Sequence, residues 1–245
     1  MFKRAVVVVV GLLLVWQLLV WALAIPTYFL PGPCLVFTTL YDNVGLLAEQ
    51  AWPTILESLL GFALALLWGG AAAIGMSLWQ PVRFWLLPML VLSQAIPTIA
   101  IAPLLIVWLG YGVSSKIAVI LLSLFFPVTA AFYDGLRRTD PAWLDMAAVM
   151  QASKWRTLRY IRLPAALPAL ASGLRVAAAW APMAAVIGEW VGASRGLGFL
   201  MLNANARLDI PLMFAALLVL ITFTLLFYFI IDQILTKTLP WQAEK

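Results

Sequence analysis

Three ionisable residues stand within or beside long apolar stretches of this 245-residue chain: Glu57, Arg175 and Glu189. Such groups face a protein interior or a water-filled cavity rather than hydrocarbon. Arg175 falls 11 residues past Pro164, about 16 Å along a helix. Its guanidinium can meet a bound solute, a carboxylate or a free helix carbonyl. Glu189, just before a predicted external loop, is the second charged candidate for a solute pathway. Around Pro97, Ser93, Gln94 and Thr98 supply neutral hydrogen-bonding groups that can line the same pathway or join helices to one another. The missing residue types matter as much. Histidine is absent and Cys34 is the one cysteine, which reads as a packing residue. The chain therefore has no internal disulfide, and no His- or Cys-based metal centre or nucleophile is expected. The carboxylates are scattered, with no acid/base pair at helical spacing, so no catalytic residue is assigned. No GxxxxGK[ST] segment occurs, so the chain carries no P-loop.

The elements that must position these groups are membrane spans. The chain is 65% hydrophobic and 10% charged, with mean hydropathy +1.04, well outside the range of soluble domains. Its net charge of +5 reads as topogenic charge between apolar runs rather than a nucleic-acid surface. The expected fold class is an all-α membrane protein of about six transmembrane helices. Ala5–Ile25 reads as an uncleaved anchor, although Ala22-Leu23-Ala24 has the look of a cleavage site. Residues 26–53 read as an external loop with a short surface helix near Leu35–Gln50. A second span, Ile55–Trp79, carries Gly61, Gly69, Gly70 and Gly75, which permit close helix contact. A third, Phe84–Leu109, holds Pro88, Pro97 and Pro103 and is expected to be kinked or broken. Ser115–Tyr133, Ala165–Val191 and Pro211–Leu235 complete the set. This divides the chain into an anchor and external loop (1–53), a transmembrane core (54–235) and a tail (236–245).

Six spans put both termini on one side. With the termini inside, the inner segments hold Lys3, Arg4, Arg83, Arg137, Arg138, Lys154, Arg156, Arg159, Arg162, Lys237 and Lys245, against Lys116, Arg195 and Arg207 outside. That asymmetry predicts cytoplasmic termini. Trp21, Trp52, Trp79, Trp85, Trp108, Trp190 and Trp241 fall near predicted span ends, as an aromatic belt does.

Residues 134–168 form the longest hydrophilic interruption and hold six of the fifteen Lys and Arg residues. Asp140-Pro141 suits a helix start, followed by Leu144, Ala147, Ala148 and Met150, a small-residue surface for close packing. A second helical stretch, Trp155–Ile161, is expected to end at Leu163-Pro164. A basic linker on anionic lipid headgroups would need less structure than two helices joined through Gln151-Ala152-Ser153.

This loop resembles the EAA motif of permease subunits in binding-protein-dependent ABC importers, through Asp145, Ala147, Ile161, Leu163 and Pro164 at the motif's spacing. Pro97–Leu104, Gly110-Tyr111-Gly112, Gly135–Pro141, Gly173–Ala177 and Gly196-Leu197-Gly198 are similar to the nitrate/sulfonate/taurine branch. The resemblance spans roughly Thr54–Asp232. It implies a type I ABC importer permease fold in a bacterial inner membrane, with 134–168 as a cytoplasmic coupling-helix loop. Asp145, Ala147, Ala148, Gln151, Ala152, Ser153, Ile161, Leu163 and Pro164 would then dock on an ATPase. The implied partners are two ATP-binding subunits, an external solute-binding protein, a second copy of the chain and the lipid bilayer, with no nucleic acid. ATP and Mg would sit on the partner ATPase, leaving this chain without cofactor, metal or catalytic site. The sequence departs from the motif at Asp145 (for Glu), at Met146 (for Ala) and at Gln151, where the family has glycine. Glutamine resists the positive φ that such a turn uses. Val186–Ala193 and Leu202–Arg207 look like the subgroup importing pyrimidine precursors of thiamine. Sulfonate, taurine, nitrate and riboflavin-like solutes are the alternatives within the family. A channel or secondary transporter, needing no ATPase, is the alternative of another class.

Overall fold

The computed structural model describes residues 2–239 and 241; the side chains of residues 2–6, 8 and 9 fall outside that description. Lys245, and the side chains of Lys3 and Arg4, which enter the orientation argument, therefore lie outside the described residues. All regular structure in the described residues is helical: α1 Phe2–Ala22, α2 Pro33–Asp42, α3 Val44–Leu78, α4 Gln80–Ala95, α5 Thr98–Leu109, α6 Val113–Arg137, α7 Pro141–Val149, α8 Lys154–Thr157, α9 Leu163–Gly192, α10 Leu197–Ala206 and α11 Ile210–Thr238.

The core is the packing of α3, α6 and α9, and small residues set how close they come. A Cβ on Gly69 would lie 3.0 Å from the Thr129 hydroxyl and 3.1 Å from Val128, and one on Gly173 would meet the Ala131 Cβ at 2.6 Å. In lipid, where burial in the neighbouring helix gains nothing over burial in hydrocarbon, such close backbone approach supplies the packing that holds helices together. Of the four glycines expected at contacts, Gly61 and Gly69 are at them. Gly70 has open space around it, and Gly75 has only Val82 near, at 3.5 Å. The alanines of α9 (Ala177, Ala178, Ala181, Ala184, Ala185) form one stripe against Phe62, Ile120, Leu124 and Val128, closed from α11 by Phe227. The far side of α11 shows Leu225, Leu226, Phe229, Ile230 and Ile234 more than half exposed. An apolar face that the described protein leaves uncovered suits lipid or another apolar helix surface. The seven tryptophans expected at span ends are all 42–79% exposed.

Several element boundaries differ from expectation, mostly at proline. Four helices are long and apolar enough to cross a membrane, and α4 with α5 makes a fifth if counted as one broken span. The remaining candidate is α1, whose described apolar stretch, Val10–Ala22, is shorter than a span. The short helix expected near Leu35–Gln50 is instead α2 followed directly by α3, which runs through Pro53 for 35 residues. Pro88, Pro103, Pro127, Pro168 and Pro182 also lie inside helices. Apolar surroundings make an unpaired backbone group so costly that a membrane helix absorbs a proline rather than unwinding. Pro164 likewise fails to end the loop's second helix. A π-helical turn, Leu158–Arg162, precedes it, with the Leu163 N–H donating to the Leu158 carbonyl. The wider turn accommodates the ring, and helix continues from Lys154 to Gly192, 39 residues. At Ile96–Pro97 the chain does break: α4 and α5 meet at 107°.

Candidate docking surface and translocation cavity

Local sequence builds the loop between α6 and α9. The Asp140 carboxylate accepts from the Ala142 N–H at 2.9 Å, with Pro141 in the first turn, so α7 has its cap. Its far end closes with the Gln151 N–H donating to Ala148 O and the Ala152 N–H to Ala147 O, both 2.9 Å. That pair of bonds is a Schellman motif, which requires a left-handed residue just past the helix. Gln151 supplies it at φ 51°. The turn is the one glycine would make, and glutamine holds it under strain. Ser153 then caps α8, accepting from the Arg156 N–H at 3.3 Å.

The residues expected to dock are brought together but do not all face out. Asp145, Ala148, Gln151, Ser153 and Pro164 are exposed, and Ala152, Ile161 and Leu163 are half-buried. Ala147 is only 3% exposed and turns inward, so it cannot belong to a contact surface in this conformation. Leu144 is also half-buried. The outward face of α7 is instead Trp143, Met146, Val149 and Met150, which are 50%, 55%, 85% and 74% exposed. Their i, i+3, i+6, i+7 spacing is present in the sequence; of the packing surface expected there, Met150 and Ala148 are exposed while Leu144 and Ala147 turn inward.

The break at Ile96–Pro97 opens a second feature. Ser93, Gln94 and Thr98 share the lining of a cavity of about 690 Å³ with Ser123, Phe126 and Trp180. Ser123 donates to the Thr98 hydroxyl at 3.3 Å, while the helix ends at the bend leave backbone groups uncapped by side chains. No charged side chain is in the lining. Trp180, missed in the sequence, is 46% exposed.

Arg175 and Glu189 are elsewhere. Arg175 Nε donates to Asp232 Oδ1 at 2.6 Å, with Thr236 3.5 Å away, so its partner is the carboxylate of α11. Glu189 is 1% exposed. It accepts from the Thr54 hydroxyl and from the Gly198 N–H, each at 2.6 Å. Thr54 in turn accepts from the Leu197 N–H at 2.9 Å, and Gln50 from the Gly196 N–H at 2.8 Å. Side chains of α3 and α9 thus satisfy the free amides that open α10. Gly196, at φ 122°, leaves no room for a side chain beside Glu189. Nearby, Lys116 is 6% exposed and donates to the Tyr111 and Gly112 carbonyls at 3.2 and 3.3 Å. Glu57 Oε2 is buried without a partner. Among the described residues no three metal-ligating side chains converge.

The described fold is thus a bundle of long apolar helices with one broken span and a loop helix that exposes apolar side chains. The family of binding-protein-dependent transport system inner membrane components matches residues 61–239, and the chain belongs to it. A "Probable ABC transporter permease protein" of Haemophilus influenzae is 49% identical over 234 residues, covering 96% of each chain. The formylaminopyrimidine transport permease protein ThiX of Halalkalibacterium halodurans is 32% identical, covering 96% of this chain and 94% of that one. The riboflavin transport system permease protein RibX of Chloroflexus aurantiacus is 35% identical, covering 95% and 88%. Among solved structures, the MetNI methionine ABC transporter in inward-facing conformations has a chain of the same fold, with TM-score 0.68 and 18% identity over 80% of this chain and 97% of that one. This chain is accordingly a non-catalytic, multi-pass inner-membrane permease subunit of an ABC transporter, and ATP hydrolysis belongs to a separate chain.

Proposed function

We propose that this chain forms half of the pathway of an ATP-driven importer and takes its stroke through α7. The observation that carries this reading is the apolar face Trp143–Met146–Val149–Met150, exposed among the described residues, mounted on a helix unbroken from Lys154 to Gly192. A partner ATPase holding ATP and Mg would cover that face together with Asp145, Ala148, Gln151, Ala152, Ser153, Ile161, Leu163 and Pro164. Closure of two such subunits would tilt two copies of α9 and alternate access to the cavity. The chain would work as a homodimer, fed by an external solute-binding protein, with both termini and residues 134–168 cytoplasmic. Residues 1–53 would serve as anchor and outer segment, 54–235 as the moving core and 236–245 as tail.

For the solute we favour a neutral planar heterocycle of the pyrimidine-precursor type. Gln94 offers amide donors and acceptors, Trp180 and Phe126 offer faces for stacking, and no cation lines the cavity. A sulfonate, taurine or nitrate ion would want one. The pyrimidine and riboflavin transport relatives lie on that side of the division, and a taurine transport permease of similar identity lies on the other, so the cavity lining carries the choice. Transport tests it: vesicles holding the permease, its ATPase and its binding protein should take up hydroxymethylpyrimidine or formylaminopyrimidine when supplied with ATP. Uptake of taurine or nitrate instead would reverse the choice of solute, and uptake without ATP would make the chain a channel or secondary transporter.

A further inference from the structure

The inward side of α7 and α8 faces a second cavity, also about 690 Å³, closed on its other side by the turn between α3 and α4. Its polar lining includes Lys154, Arg162, Ser77, Gln80 and Thr157, and its walls include Leu78, Leu144 and Leu158. Two cations share this space, and among the described residues no carboxylate lines it. The one ion pair among the described residues is Arg175 with Asp232, so no described carboxylate neutralises Lys154 or Arg162. Arg162 has only a weak bond from its guanidinium to the Ser77 hydroxyl, at 3.4 Å, and its Nε is buried with no acceptor. A buried guanidinium donor without an acceptor is an unfavourable arrangement unless something else completes it. Beside the cavity, α4 opens with no side-chain cap and no acidic residue in its first turn.

We propose that this cavity binds a phosphate-bearing anion, with Arg162 and Lys154 as its charged ligands and Ser77, Gln80 and Thr157 as neutral ones. A guanidinium fork with a neighbouring ammonium suits the tetrahedral oxygens of a phosphate. The favoured source is the headgroup of an acidic phospholipid. The cavity opens where an apolar helix ends, beside Trp79, Phe84 and Trp85, which are 59–71% exposed and suited to the headgroup level. Placing that lipid in the inner leaflet rests on the orientation proposed above; the cation pair does not. The site would tie the base of the docking loop to the membrane while Trp143, Met146, Val149 and Met150 engage the ATPase; Ala148 and Ala152 line this cavity and also belong to the proposed docking surface, so the two sites adjoin.

Thermal unfolding of the purified full chain in micelles of a nonionic, phosphate-free detergent and a phosphate-free buffer tests this, with phosphatidylglycerol or inorganic phosphate added. Phosphatidylglycerol should raise the midpoint by about 5 °C, and an Arg162→Gln, Lys154→Gln double variant should lose most of that shift. An Arg156→Gln variant, which removes an exposed charge outside the cavity, should keep it. If the double variant fails to fold, Lys154→Gln alone reads the same effect, because Lys154 is exposed. A shift with inorganic phosphate, lost in the same variants, would identify free phosphate as the occupant and still support the site. The proposal is overturned if the variants respond as the native chain does, or if neither probe shifts the native chain. In the latter case, weaker ATPase co-purification by Lys154→Gln would assign the cavity to an acidic side chain of the ATPase. Co-purification of the native chain is measured separately, so failure here leaves the docking reading standing.

Discussion

Gln151 holds a left-handed conformation between two helices because the Schellman bonds on either side of it leave no other. For a residue with a Cβ that conformation costs roughly 1–2 kcal/mol, part of which glycine would return as greater freedom of the unfolded chain. Gln151→Gly should therefore raise unfolding stability by about 0.5–1 kcal/mol, read by thermal melting of the purified chain. Gln151→Val, branched at Cβ, should lower it. At the other end of α9, Glu189→Gln would set an amide where the carboxylate now takes two hydrogen bonds. One donor would go unmet, with an expected loss of about 1–3 kcal/mol. The strain at Gln151 was legible from motif spacing, since a glutamine stood at a glycine position. Glu189 was not: its bond to Thr54 joins residues 135 positions apart. Arg175 was legible as a group needing a partner, but Asp232 lies on a separate helix that only the bundle brings near.

At the scale of elements, α7 and the α4–α5 bend carry the predictions. Val149→Asp should abolish ATPase co-purification while leaving the chain folded, because Val149 is 85% exposed and touches little of its own protein. Trp180→Ala should preserve assembly and lower solute transport about tenfold, on a stacking contribution of about 1–3 kcal/mol for a planar ring. Uptake with ATPase activity measured in parallel separates the two effects. Hydropathy made the long helices readable, and Pro97 marked the broken span. The ends were harder to read, since Pro53 and Pro164 look like stops while the apolar setting carries helix through both. Helix α10 was missed because Asn203 and Asn205 interrupt its apolar pattern; its start is stabilised from α3 and α9 rather than by its own residues.

At the scale of the molecule, one long helix joins the loop between α6 and α9 to the cavity at the bend and to the cap of α10. Helix α9 is continuous with the docking loop, packs along α3 and α6, and reaches the cap of α10 through Glu189. Under the proposed function, movement imposed at α7 would reach the cavity at the bend and the far end together. The proposed orientation is testable at Cys34, the one cysteine, which is exposed on α2. A membrane-impermeant maleimide should label it from the periplasmic side of intact spheroplasts. Labelling only after lysis would invert the topology and place the docking loop outside.

The central claim, that α7 is the seat of a separate ATPase, is tested most directly by crosslinking. In a Cys34→Ser background, Ala148→Cys is paired with cysteines placed around the coupling groove of the cognate ATPase. The account predicts a disulfide-linked permease–ATPase species under mild oxidation, and co-purification of the two chains without oxidant. No crosslink at any pairing, with no ATPase retained on the tagged chain, would contradict it.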